Sequence, residues 1–176
     1  MRILAFDKNG SPTLGLKRGS ELIDLSEAAP DLPSDTPGLL GAGEAAMDRL
    51  TALAENPPAN AVRPLEDITY HPPVWNPGKI ICVGLNYEDH AAETELEKPD
   101  YPILFLRVAT TLVGHGQPLI APKASEQFDY EAEMVVVIGA VGRNVPRAQA
   151  LELVAGYSVF NEGSVRDYQF KSQTWT

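Results

Sequence analysis

Glu131 and Glu133 stand two residues apart in the stretch DYEAE. On a strand, side chains at i and i+2 point to one face, about 7 Å apart along the chain. At ~4 Å separation two carboxylates repel by roughly 1–4 kcal/mol, depending on local polarity. A bound cation removes that penalty and keeps both groups ionised. The alternative is an ordinary solvent face on an edge strand. Asp167, in NEGSVRDYQ, offers a third carboxylate. Three hard oxygen donors with room for water favour Mg²⁺ or Mn²⁺ over zinc. Ser164 and Asp167 also have capping-box spacing, so Asp167 could instead close the start of a helix. His90 and Glu93 lie three apart and share a face if that segment is helical. A carboxylate beside an imidazole orients it and raises its basicity, as a general base requires. A surface histidine on an acidic helix has the same spacing.

The elements around these residues are legible in outline. Residues 2–25 read as short strands joined by turns, the first turn at Asn9-Gly10. Residues 38–54 have helical composition and spacing. Pro57, Pro58, Pro64, Pro72, Pro73 and Pro77 then mark a linker. This divides a small β-rich N-terminal domain, 1–70, from a second unit, 71–176. In the second unit KIICVG (79–84) reads as a buried strand and NYEDHAAETE as a helical turn capped by Asn86. ILFLR (103–107) and YSVF (157–160) read as strands, and TLVGHGQPLI (111–120) as a bent strand. The second half of EQFDYEAEMVVVIG (126–139) reads as a strand buried on both faces. Pro146 starts a predicted helix that Gly156 stops. Many strands and few helices predict an α+β class.

Composition narrows the function. Lys plus Arg is 14 against 24 for Asp plus Glu, a formal net charge of −10. Such a chain repels phosphate backbones, which excludes a nucleic-acid partner and suits a cation. No stretch approaches the ~20 apolar residues needed to span a bilayer, and the start MRILAFDKNG is too short an apolar run for a signal peptide. Cys82 is the only cysteine, so no internal disulfide forms. A cytoplasmic protein without a membrane partner is the expectation. The sequence contains no GxxxxGK[ST], no GxSxG and no HExxH motif.

The order of the motifs carries a resemblance. KIICVGLNYEDHAAE, a P-x-x-F-x-[KR] strand from Pro102 to Arg107, FDYEAEMVVVIG and GYSVFNEGSVRDYQ follow one another over residues 72–176. In this order they resemble the fumarylacetoacetate hydrolase family, in particular its smaller bacterial-type, 2-hydroxyhepta-2,4-diene-1,7-dioate isomerase-like members. The resemblance implies a β-rich roll of the fumarylacetoacetase-like fold behind a small N-terminal domain. It implies that Glu131, Glu133 and Asp167 bind a divalent metal, commonly Mg²⁺, with Mn²⁺ or Ca²⁺ as alternatives. It implies that His90 and Glu93 activate water or shuttle a proton, and that Arg107 and Gln169 bind substrate. The implied substrate is a small oxo-acid, and the implied chemistry is C–C hydrolysis, decarboxylation or keto–enol isomerisation through an enolate, usually in a homodimer. Arg107 stands where many relatives carry lysine. Relatives continue after a segment like Gln173-Thr174-Trp175 into a G-K-x-F-D stretch whose lysine joins the active site. The chain given ends at Thr176, so the expectation is that the missing C-terminal half comes from the rest of the gene or another chain. The alternative function is a non-catalytic metal- or ligand-binding fragment of the same fold.

Overall fold

The computed structural model describes residues 1–87, 99–169 and 171–172. Two compact units emerge. One comprises residues 1–75, 113–119 and 131–162; the other comprises 76–112, 120–130 and 163–176.

The first unit begins with a five-stranded antiparallel sheet. Its strands are β1 (Ile3–Lys8), β2 (Ser11–Arg18), β3 (Glu21–Asp24), β4 (Val62–Pro64) and β5 (Tyr70–His71), in the order β4-β3-β2-β1-β5. Asn9 and Gly10 both have positive φ, 57° and 82°. That is the backbone of a tight hairpin turn, so the Asn-Gly signal is realised. Alternation along the strands covers both faces. Ala5, Leu14, Leu16 and Ile23 pack with Leu39 and Leu50 from the helices. Leu4, Phe6 and Leu22 pack with Leu65 on the other side. Each fully buried Leu or Ile contributes roughly 1.5–3 kcal/mol.

The helical stretch differs from its sequence reading. The single helix expected over 38–54 is two, α2 (Thr36–Gly41) and α3 (Glu44–Glu55), after the short α1 (Leu25–Ala28). Gly43, at φ 82°, breaks the run with a backbone that L side chains rarely adopt. Asp35 starts α2 by accepting the Gly38 N–H at 2.8 Å.

The rest of the first unit includes a longer hairpin, β9 (Ala132–Ile138) against β10 (Val154–Asn161). The predicted helix from Pro146 is instead a 3-10 segment, Arg147–Leu153, and Gly156 lies within β10. The second unit holds two further antiparallel pairs. They are β6 (Ile80–Gly84) with β7 (Ile103–Arg107), and β8 (Phe128–Asp129) with β11 (Ser164–Val165). The helix α4 (Arg166–Gln169) follows β11 directly. Residues 112–120 form loop rather than the predicted bent strand. The strands expected to be buried on both faces alternate instead. Ile81, Val83, Leu104 and Leu106 are exposed on one pair, and Met134, Val136, Ile138, Tyr157 and Val159 on the other. Among the described residues no helix is long and apolar enough to cross a membrane.

One polar cluster lies inside the N-terminal sheet. Asp24 is fully buried. Its Oδ1 accepts from Ser26 N–H at 3.0 Å and from Ser26 Oγ at 2.6 Å, which caps α1. Lys8 Nζ donates to Asp24 Oδ2 at 2.7 Å and to Glu27 Oε1 at 2.9 Å. Arg63 Nη2 donates to Glu27 at 2.6 Å and stands 3.3 Å from Asp24 Oδ2. Burial alone raises the Asp24 carboxyl. Hydrogen bonds from Lys8 and Ser26, with the Lys8 charge, outweigh it and hold the group below its ordinary value of 3.8. Its contribution to stability is therefore complete above pH 3.8 and is lost as pH falls through the lower folded value. Asp24→Ala leaves Lys8 without its buried counter-charge and is expected to cost about 3 kcal/mol, the low end for breaking a buried pair, because Lys8 and Arg63 keep some contact with water. Denaturant unfolding of the full chain at pH 7 measures this. A loss below about 1 kcal/mol would class the network with ordinary surface pairs. Asp24→Asn should also flatten the acid side of the stability–pH curve.

Candidate functional site

The β9–β10 hairpin forms because both strands are rich in β-branched and aromatic residues that suit a pleated surface, Val135, Val136, Val137 and Ile138 on β9 and Val154, Tyr157, Val159 and Phe160 on β10. Its register fixes which side chains share a face. Glu133 pairs with Phe160, and Val135 with Ser158; all four are half-buried. Met134 pairs with Val159 and Val136 with Tyr157 on the exposed face. Glu131 precedes β9 by one residue and belongs to the half-buried face, so Glu131 and Glu133 share a side as their spacing predicts.

The same register brings in a carboxylate that the sequence reading passed over. The Glu162 N–H donates to the Glu131 carbonyl at 3.0 Å, continuing the ladder past Asn161. Glu162 therefore lies opposite Glu131 and two residues beyond Phe160, on the face that carries Glu133. It is only 5% exposed. Interior carboxylates are rare because desolvation penalises their charged form. The missed signal was the period-2 alternation through Tyr157, Val159 and Asn161, which continues one step past YSVF and turns Glu162 inward.

Asp167 has different surroundings. It is exposed on α4, and its Oδ1 accepts a hydrogen bond from Ser125 Oγ. Ser164 belongs to β11, so the capping-box alternative is not formed. Arg166, beside it, directs Nε and Nη2 at Asp129 Oδ2, 3.0 and 2.9 Å away, and Nη1 at Gln169 Oε1, 3.1 Å away. The hydrogen bond from Arg166 holds the Asp129 carboxyl below its ordinary range. Glu131, Glu133 and Glu162 belong to the first unit; Asp129, Arg166, Asp167 and Gln169 belong to the second.

Arg107 is half-buried on β7, opposite Ile80, with its guanidinium carbon 5.4 Å from the Phe105 ring centroid. Cys82 is half-buried on β6. His90 and Glu93 lie outside the described residues. Among the described residues no three His, Cys, Asp or Glu side chains stand grouped as a metal site. The backbone register sets three hard oxygen donors, Glu131, Glu133 and Glu162, on one face of the hairpin. The donor set fits a hard divalent cation rather than zinc.

Residues 79–176 match the family model described as "Fumarylacetoacetate (FAA) hydrolase C-terminal". Over 176 aligned residues the chain is 36% identical to the mitochondrial oxaloacetate tautomerase fahd2 of Xenopus laevis, covering 97% of this chain and 54% of that protein. Among solved structures it is similar to maleylpyruvate hydrolase from Sphingobium sp. SYK-6 in complex with manganese(II) ion and pyruvate. That match has a TM-score of 0.71 at 26% identity, covering 94% of this chain and 60% of the other. A 5-carboxymethyl-2-hydroxymuconate delta-isomerase from Mycobacterium smegmatis matches with a TM-score of 0.69 at 25% identity, covering 100% and 60% respectively. The chain thus spans about half the length of the curated relatives it matches.

Proposed function

The chain belongs to the fumarylacetoacetate hydrolase family, and from that premise we propose that it serves divalent-metal-dependent chemistry on small oxo-acids. The observation that carries the reading is the placing of Glu131, Glu133 and buried Glu162 on one face of a hairpin, inside the residues that match the family. These three carboxylates are the proposed metal ligands. Asp167, the third ligand expected from sequence, is the alternative to Glu162. A bound Mg²⁺ or Mn²⁺ would supply the positive charge that favours an enolate over its keto form.

The chain's own residues supply the remainder. His90, oriented by Glu93, is proposed to move a proton at the substrate carbon next to the carbonyl. Arg107 and Gln169 are proposed to hold the substrate's carboxylate, the arginine as a cation and the glutamine amide as a neutral donor. Keto–enol interconversion is the least demanding such reaction, since it needs only this proton transfer. Relatives named as oxaloacetate tautomerase and maleylpyruvate hydrolase make oxaloacetate and pyruvate the natural probes.

Calorimetric titration with Mg²⁺ and Mn²⁺ tests the ligand set. Glu133→Gln and Glu162→Gln should each weaken metal binding by more than about tenfold, whereas Asp167→Asn should change it little. The reverse pattern would return Asp167 to the third position, and a wild-type chain that binds neither ion would end the proposal. The base is tested separately. His90→Ala should slow oxaloacetate tautomerisation, followed by ultraviolet absorbance, by about 10²–10⁴-fold at unchanged metal affinity. Metal and pyruvate binding without any turnover in the wild type would favour the non-catalytic alternative.

A further inference from the structure

The ladder between β9 and β10 has its last strand pair at Ala132 opposite Asn161. One step on, Glu131 lies opposite Glu162, and the Glu162 N–H donates to the Glu131 carbonyl at 3.0 Å. In a complete antiparallel pair the return bond runs from the Glu131 N–H to the Glu162 carbonyl. Here the Glu131 N–H donates to a side chain, Asn161 Oδ1, at 3.3 Å. Asn161 is exposed and belongs to the row of Tyr157 and Val159, on the opposite face from Glu133 and Glu162. Its side chain is therefore no ligand for an ion on the carboxylate face. It acts on the main chain instead.

Both polar main-chain groups of Glu131 are thus held by two consecutive residues of the facing strand, the N–H by Asn161 and the carbonyl by Glu162. Glu131 stands one residue before β9, where a chain frays if its main-chain groups are left to water. Holding both groups fixes the direction in which the Glu131 side chain leaves the backbone, relative to that of Glu162. The residue type suits the place. An N–H must meet the amide oxygen, and that oxygen accepts without charge, whereas aspartate would add a fourth negative group beside three carboxylates. We infer that Asn161 is a positioning residue: by holding the main chain of Glu131 opposite Glu162 it sets the separation of two carboxylates proposed to bind the divalent ion. The inference rests on the preceding reading for the ion, while the hold on Glu131 rests on the hydrogen bonds alone. Glu131, Glu133, Asn161 and Glu162 all lie within one compact unit.

A cap that only tidies the strand end would use the same bond, so the experiment reads the metal site and the backbone separately. Mg²⁺ and Ca²⁺ are each titrated by calorimetry into the full chain and its Asn161→Ala and Asn161→Asp variants, at a temperature where circular dichroism shows all three folded. Mg²⁺ demands near-octahedral donors at about 2.0–2.1 Å, whereas Ca²⁺ accepts a looser set. Asn161→Ala should therefore weaken Mg²⁺ about tenfold and Ca²⁺ by less than about threefold. Asn161→Asp keeps the acceptor and should bind Mg²⁺ at least as tightly as the wild type. Equal losses for the two ions, no loss, or a loss in Asn161→Asp as large as in Asn161→Ala overturns the inference. In a Glu131→Gln background, Asn161→Ala should lower the remaining Mg²⁺ affinity by less than about twofold, and a full further loss overturns the inference too. A second arm needs no ion. Hydrogen exchange at the Glu131 amide, read by NMR, should speed up in Asn161→Ala but not in Asn161→Asp, and unchanged exchange in Asn161→Ala overturns the inference. If the wild type binds neither ion, the metal reading has failed, and the exchange arm alone decides whether Asn161 holds the Glu131 main chain.

Discussion

The register of β9 against β10 is the constraint on which the proposed site depends. Side chains on an antiparallel pair have period two, so one register puts Glu133 beside Phe160 and Glu162 beyond it, opposite Glu131. A slip of one residue would send Glu162 to the side of Met134 and Val159 and scatter the carboxylates. The register is held by the half-buried face, where Val135 and Val137 sit with Ser158 and Phe160. The hydrophobic pattern therefore decides where the charges go. Carboxylates that share one face of a hairpin suit a cation that joins them. An ion that binds only the folded hairpin stabilises it by mass action, so the site and the strand pair that carries it are energetically linked.

The opposite face of that hairpin has the other half of the same pattern. Met134, Val136, Ile138, Tyr157 and Val159 are all exposed, as are Ile81, Val83, Leu104 and Leu106 on β6 and β7. Exposed apolar rows on strand pairs favour association with other apolar surface. An isolated strand pair is marginal in water without such cover. The N-terminal sheet contrasts with both pairs. Its two faces are closed, by Leu39 and Leu50 on one side and Leu65 on the other. It also contains the buried Asp24 network.

These differences explain what could be read from the sequence. The Asn9-Gly10 turn, the shared face of Glu131 and Glu133, and the order of motifs that identifies the family are local signals, and local spacing carries them. The break of the 38–54 helix at Gly43 was written in the sequence as Gly41-Ala42-Gly43, but the apolar spacing on either side masked it. The continuous apolar runs around residues 81 and 136 predict strands buried on both faces, since such runs cannot show which side has a partner. The Asp24 network was not legible at all. Lys8 and Arg63 reach Asp24 from 16 and 39 residues away, and only the sheet order β4-β3-β2-β1 brings them there. Glu162 was overlooked for a related reason. Its significance lies in a cross-strand hydrogen bond to Glu131, which the spacing of the neighbouring Arg166-Asp167 motif does not show.

The Arg166-Asp167 pair also has a structural task. Asp167 accepts from Ser125 Oγ, and that same oxygen accepts the Gln127 N–H at 2.9 Å. Arg166 takes the Gln127 carbonyl with its backbone and Asp129 with its side chain. Two adjacent residues thus tie down the segment 125–129 at three points. Two residues further on, the chain reaches Glu131 and enters β9. The two residues thus secure the β8–β11 pair, Asp167 through Ser125 and Arg166 through Gln127 and Asp129, with the Arg166 Nη1 donating to the Gln169 amide oxygen.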